Sequence, residues 1–146
     1  MGGIDLNCVF CAIANGDIPA HTVLETDTTM AFLDVHPAAE GHTLVVPKVH
    51  VPTLAELPDD LAGPLMVSIR RVAAALLGGR GADGVNVLNA NGSPAGQTVH
   101  HLHFHVIPRR RGDSLRLHVP AFPEATNHAA MEAEAEAIRQ ALARIP

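Results

Sequence analysis

Hydrophobic and polar positions alternate most cleanly at His101-Leu102-His103-Phe104-His105-Val106, followed by Ile107 and Pro108. Successive side chains of an extended strand point to opposite faces, so the three imidazoles share one face while Leu102, Phe104 and Val106 share the other. The pattern predicts a strand over Val99 to Pro108, with chemistry on one side and core on the other. Across the loop Ala90 to Thr98, Gly84 to Asn89 predicts the strand before it. Further upstream, His21 to Thr26, Thr28 to Val35 and His42 to Pro47 are rich in β-branched and apolar residues and are separated by turn formers. They read as three strands, antiparallel because the gaps between them are short.

Helical spacing dominates elsewhere. From Pro58 to Leu77 the apolar positions Leu61, Leu65, Ile69, Val72 and Leu76 recur at helical intervals until Gly78 and Gly79. Pro64 conflicts with the first turns, so the regular helix is expected to begin nearer Gly63. A last helix is expected from about Asn127 to Ala143, with Met131, Ala135, Ile138 and Leu142 on one side. It follows an irregular stretch, Arg109 to Thr126, that holds Pro120 and Pro123. A short helix, Cys8 to Asn15, is stopped by Gly16 with Pro19 just beyond. This order predicts one α+β domain over residues 1–146: a five-stranded antiparallel sheet, a long crossover helix, a short N-terminal helix and a C-terminal helix.

Composition narrows the partners. At 146 residues, 47% of them hydrophobic, the chain has enough apolar material for one sizeable core and little for a second. A net charge of −5 argues against nucleic acid as a partner, since such binders carry a basic surplus or stripe. No apolar run is expected to approach the roughly 20 residues that span a bilayer, and Met1 to Asn7 lacks the regions of a signal peptide. The expected setting is cytoplasmic, without a membrane partner. Cys8 and Cys11, the only cysteines, lie within one helical turn, which suggests a reduced, metal-bound or redox pair rather than a fold-stapling disulfide. With neither Trp nor Tyr, the core must rest on aliphatic residues, and each of Phe10, Phe32, Phe104 and Phe122 marks a place of interest.

The histidine strand admits three chemistries. Neutral imidazole, with a reference pKa of about 6.5, carries a free lone pair at pH 7 and can attack phosphorus, provided a partner fixes its tautomer. Alternatively, His101, His103 and His105 could hold a catalytic zinc ion, or stack inertly. The loop Asn89 to Thr98 favours the first, because its amide and hydroxyl donors and its glycines suit an anion such as phosphate.

The run Gly96-Gln97-Thr98-Val99-His100-His101-Leu102-His103-Phe104-His105-Val106-Ile107-Pro108-Arg109 resembles the signature of the histidine triad nucleotide hydrolases and transferases. Phe32-Leu33-Asp34, Gly41 to Lys48 and Cys8-Val9-Phe10-Cys11 extend the resemblance over roughly residues 5 to 112, leaving 113–146 as an extension. The resemblance implies that His103 attacks the α-phosphorus of a nucleoside 5′-phosphate derivative and is transiently nucleotidylated, releasing a nucleoside monophosphate. It assigns Gln97 and Thr98 to phosphate oxygens, with Thr98 and His105 near the leaving group, where preorganised donors meet negative charge. Asp34 would accept from ribose, and Val9, Phe10, Ile13, Phe32, Leu33 and Val35 would line the pocket of a purine base. Asn89 and Asn91 are further phosphate-side candidates.

The family pattern also supplies His50 and His101 to Cys8 and Cys11 as a structural zinc site, and it implies a homodimer. No cofactor is expected in the chemical step, beyond magnesium accompanying a polyphosphate. Arg109-Arg110-Arg111 offers a possible funnel for such a tail. The chain lacks the tryptophan tail of the phosphoramidase branch, while Gln-Thr-Val looks closer to the dinucleoside polyphosphate hydrolases. Both leaving groups, a catalytic-zinc hydrolase and a non-catalytic nucleotide-binding module therefore stay open.

Overall fold

Side-chain alternation sorts the chain into two apolar layers on either side of one sheet. The computed structural model describes residues 5–117 and 128–144. Its elements are α1 (Val9–Ala14), β1 (Thr22–Glu25), β2 (Thr29–Leu33), β3 (Thr43–Pro47), α2 (Asp59–Ala74), β4 (Gly84–Leu88), β5 (Phe104–Arg109) and α3 (His128–Leu142). The five strands form one antiparallel sheet in the order β1-β2-β3-β5-β4. By internal packing the chain divides into two units, Met1–Leu115, which holds the sheet with α1 and α2, and Arg116–Pro146, which holds α3. Within α3, Arg139 pairs with Glu132 and Glu136. Pro120, Phe122, Pro123 and the side chains of Met131, Ile138 and Leu142 lie outside the described residues.

One face of the sheet packs Ala31, Val45, Leu102 and Val106 against Leu65, Ile69, Val72 and Leu76 of α2. The other face packs Phe32, Leu44 and Val46 against Phe10, Cys11 and Ile13 of α1. Because β3 feeds both layers, it is buried along its whole length.

Three expectations are corrected. Helix α2 begins at Asp59 and runs through Pro64. That proline is exposed, so the Asp60 carbonyl it deprives of a partner faces water. With the π-helical turn Ala75–Gly79, the helix becomes a 21-residue run long and apolar enough to cross a membrane, contrary to the expectation that none approaches that length. Its buried stripe is nevertheless the lid of a sheet. Lastly, β5 begins at Phe104 rather than Val99, because its partners β3 and β4 pair with it only from Phe104 and His105 onward. Residues 99–103 are held otherwise: Leu102 N–H donates to Val51 O at 2.6 Å, and Asn89 Nδ2 donates to His103 O at 2.9 Å.

Candidate active site

Although only His105 belongs to the strand ladder, the three imidazoles stay on the α1 side. Phe10 meets the rings of His101 and His103 edge-on at centroid distances of 5.8 and 5.1 Å, and His103 and His105 lie 5.0 Å apart. Hydrogen bonds fix what each ring can do. His103 Nδ1 lies 2.7 Å from the His101 carbonyl, which can only accept; the neutral His103 ring therefore keeps its lone pair on Nε2. Ala38 N–H donates to His42 Nδ1 at 2.9 Å, so His42 carries its proton on Nε2 and donates to His105 Nδ1 at 2.9 Å. His105 in turn presents an Nε2–H. One ring offers a lone pair and its neighbour a donor.

His42 was missing from the sequence-based site. It sits two positions before Leu44, hence on the α1 face, and Gly41 places it: φ is +94°, and a Cβ there would meet Leu76 Cδ2 at 3.3 Å. Burial pushes the His42 and His105 pKa values down, the latter to about 4, with His103 and His42 adding to the shift on His105 and Asp34 opposing both. Asp34 Oδ2 stands 3.6 Å from His42 Nε2. Asp34, His42 and His105 are close enough to suggest a metal site, but the Ala38 N–H occupies His42 Nδ1 and leaves the proton on Nε2, where a metal would have to bind. The cluster is a hydrogen-bond relay.

Beside these rings opens a cleft of about 740 Å³, a size suited to small ligands. It is lined by Thr98, His103, His105 and Asp34, and by Val9, Phe10, Ile13, Phe32, Leu33 and Val35. Ile18, Pro19, Ala20, His21, His36, Leu44 and Val99 complete it and were not among the site residues expected from the sequence.

Four other assignments change. Gln97 does not line the cleft; its Oε1 accepts from Gly92 N–H, and its Nε2 donates to Pro52 O and Val99 O, so it braces the loop. Asn91 accepts from Leu54 N–H at 2.7 Å and donates to Asn89, and neither asparagine lines the cleft. The loop amides expected to meet an anion are turned inward: Ala95 and Gln97 N–H donate to Gly92 O, and Gly96 N–H to Ser93 O. Finally, Arg109 binds Asp113 and Asn86, holding the Asp113 carboxyl well below the usual carboxylate range, and Arg110 binds the carbonyls of Arg80 and Gly81. Among the described residues no Lys or Arg lines the cleft, so the arginine run is no funnel into it.

Behind the cleft, Cys8, Cys11, His50 and His101 bring one sulfur or nitrogen each within 4.8 Å of all the others. His101 Nδ1 is 3.4 Å from Cys8 Sγ and 3.5 Å from Cys11 Sγ, and His50 Nδ1 is 3.5 Å from Cys11 Sγ. Zinc–sulfur and zinc–nitrogen bonds of about 2.3 and 2.1 Å give a tetrahedron with edges of roughly 3.5 Å, so this donor set fits a closed zinc site. The outer contacts agree. His101 Nε2 donates to Pro47 O at 2.8 Å, His50 Nε2 lies 3.8 Å from the Asp5 carboxylate, and the amides of Asp5 and Cys11 point at Cys11 Sγ and Cys8 Sγ. The alternative of a zinc ion held by His101, His103 and His105 together fails on geometry, since both nitrogens of His101 are directed to Pro47 and the cysteines.

The depressed His105 pKa has a consequence for stability. Unfolded histidine takes up a proton near pH 6.5, whereas folded His105 resists until about 4, so the unfolded chain binds more protons in between. Stability is therefore full above about pH 6.5 and is lost as pH falls towards 4, by roughly 1–3 kcal/mol. Denaturant midpoints at pH 7 and pH 4.5 should show the fall, and a His105→Gln variant should show less of it; equal slopes for both would contradict the assignment.

Comparison with known proteins points to one family. An adenosine 5′-monophosphoramidase of Schizosaccharomyces pombe is 38% identical over 119 residues, covering 81% of this chain and 86% of that protein. A crystal structure from Streptococcus mutans superposes with a TM-score of 0.88 at 38% identity, covering 97% of this chain and 89% of that one. A Mycobacterium smegmatis protein described as a zinc-bound histidine triad family protein reaches a TM-score of 0.71 at 41% identity, covering 82% of this chain and 85% of that one. The HIT domain model matches residues 15–112, and with the relay, the cleft and the histidine alternation in view, the chain belongs to the HIT domain, or histidine triad, family.

Proposed function

We propose that the protein is a nucleotide hydrolase that cleaves at the α-phosphorus through a nucleotidyl group on His103. The observation that carries this is the opposed state of the two cleft rings: Nε2 of His103 has the lone pair, and Nε2 of His105 has the hydrogen. Attack by His103 Nε2 forms a phosphorus–nitrogen bond as the bond to the leaving atom breaks. His105 cannot surrender its Nε2 proton without becoming an anion, because its Nδ1 already accepts from His42; it therefore stabilises by donation and does not act as the acid. The leaving amine departs with its electron pair and takes its proton from solvent. Water then attacks phosphorus, the bond to His103 breaks, and a nucleoside monophosphate is released. Thr98, the cleft residue of the loop with no bond among the described residues, is free to donate to phosphoryl oxygens.

The lack of Lys and Arg in the cleft among the described residues favours a neutral or cationic leaving group over a polyphosphate. An unmade charge-assisted hydrogen bond is worth about 1.5–3 kcal/mol. Hydrolysis of adenosine 5′-phosphoramidate should therefore exceed that of diadenosine polyphosphates by about 10- to 100-fold in kcat/KM, and the reverse order would overturn the preference. The Schizosaccharomyces relative's name points the same way.

Zinc at Cys8, Cys11, His50 and His101 would fix α1 and the segment before β5 as scaffold. A homodimer is the natural cover for the exposed Met66 and Val67 of α2 and Val87 and Leu88 of the sheet-edge strand β4, with sedimentation as the check. A cytoplasmic setting would keep the two cysteines available as thiolate ligands.

A further inference from the structure

We propose that the face of the sheet opposite the reactive rings carries a second ligand site, which takes a small amphipathic anion: an apolar body ending in a carboxylate, sulfonate or phosphate. A cavity of about 630 Å³ opens there beneath the C-terminal end of α2, with Val23, Leu24, Leu33, Val72, Leu76 and Pro108 as its apolar wall. Thr43, which also lines it, pairs with Val106 of the layer under α2, so the cavity stands back to back with the nucleotide cleft, and Leu33 lines both. The wall depends on an irregular strand. Neighbouring side chains of a regular strand point to opposite faces, yet Val23 and Leu24 both line this cavity. A bulge makes that possible: Thr22 pairs with Phe32 and Leu24 with Ala31, so Val23 is an extra residue in the edge strand β1, re-aimed to the α2 side. Val23 remains 54% exposed there.

Charge selects the occupant. Arg71, Arg80 and Arg110 line the cavity against a single acid, Glu40. Arg110 is fixed at its rim, since Nη1 donates to Gly81 O at 2.7 Å and Nη2 to Arg80 O at 2.9 Å, and neutral carbonyls hold a guanidinium without cancelling its charge. The side chains of Arg71, Arg80 and Glu40 have no hydrogen bond or ion pair among the described residues. Three cations against one anion leave a positive surplus beside an apolar wall, in a chain whose net charge is −5. The nucleotide cleft, by contrast, has no Lys or Arg among its described lining residues. Walls of low dielectric focus such a field, so an anion gains most when its apolar body shares the cavity with the cations. A neutral ligand forgoes the arginines, and a purely hydrophilic anion forgoes the wall.

Fluorescence titration of the full chain with anilinonaphthalene sulfonate, set against phenylnaphthylamine, the same rings without the charge, tests this. The sulfonate should bind more tightly than the neutral amine. Arg71→Gln with Arg80→Gln should weaken it by about 3- to 25-fold and Glu40→Gln should strengthen it by about 2- to 5-fold, the range of exposed charge pairs, while the amine is unmoved by either. Ala75→Phe, which fills the cavity from an exposed helix position, should abolish binding of both dyes. Equal affinity for the two dyes, or a sulfonate affinity indifferent to the arginine variants, would overturn the proposal. Displacement of the sulfonate by AMP would seat it in the nucleotide cleft, and a halved mass of Ala75→Phe in sedimentation would make the cavity an interface between copies; either result overturns it as well.

Discussion

Replacing His103 with Ala should reduce turnover of adenosine 5′-phosphoramidate by at least about 10⁴-fold while AMP affinity changes by less than about 10-fold. The asymmetry follows from where the ring's contacts lie. Its Nδ1 is held by the His101 carbonyl, and its face by the Phe10 edge, so the one group it offers the cleft is the Nε2 lone pair. Removing a nucleophile abolishes the covalent route, and losses of that order or more accompany such deletions in enzymes that form covalent intermediates. On the proposed reading, binding would depend on other groups that line the cleft, chiefly its apolar walls and Asp34. Rapid base quenching with phosphorus-labelled substrate should find label on the wild-type chain at His103, stable to base and released by later acid treatment. Label on His103→Ala, or activity above about 1% of wild type, would place the nucleophile elsewhere.

Loss of zinc should be the largest perturbation of stability. Four residues from three separate segments converge on one point: Cys8 and Cys11 at α1, His50 after β3, and His101 before β5. Burial pushes the Cys11 thiol up in the free chain, so its deprotonation would be driven by a bound cation. At free zinc a thousand times its Kd, binding to the folded state alone stabilises by about 4 kcal/mol, which for a chain of this size is roughly 8–16 °C in Tm. Chelation should lower Tm by that amount, and readdition should restore it. Cys8→Ser with Cys11→Ser should start from the lower value and ignore the chelator. A metal content well below one per chain in protein purified with zinc, or a Tm indifferent to chelation, would remove zinc from the scaffold.

Much of this was legible along the chain because alternation is a local property. The faces of residues 101–106 follow from it whether or not they are hydrogen-bonded as a strand, which is why the histidines and Leu102, Val106 fall on the expected sides although β5 starts at Phe104. What alternation cannot express is the partner of a polar group. Gln97 reads as a phosphate donor until its amide is seen bridging Gly92, Pro52 and Val99, and Arg109 to Arg111 read as a funnel until they are found at the far end of β5 from His105. His42 was within reach, since it continues the His42, Leu44, Val46 face opposite the same helix, but its importance lies in a contact 63 positions away.

The segregation of the two sheet faces also bears on how such a chain can change over time. Substitutions on α2, at Leu65, Ile69 or Val72, alter melting behaviour through packing, with a whole sheet between them and the reactive rings. Thermal adaptation and substrate drift can therefore proceed as nearly independent histories within one small protein.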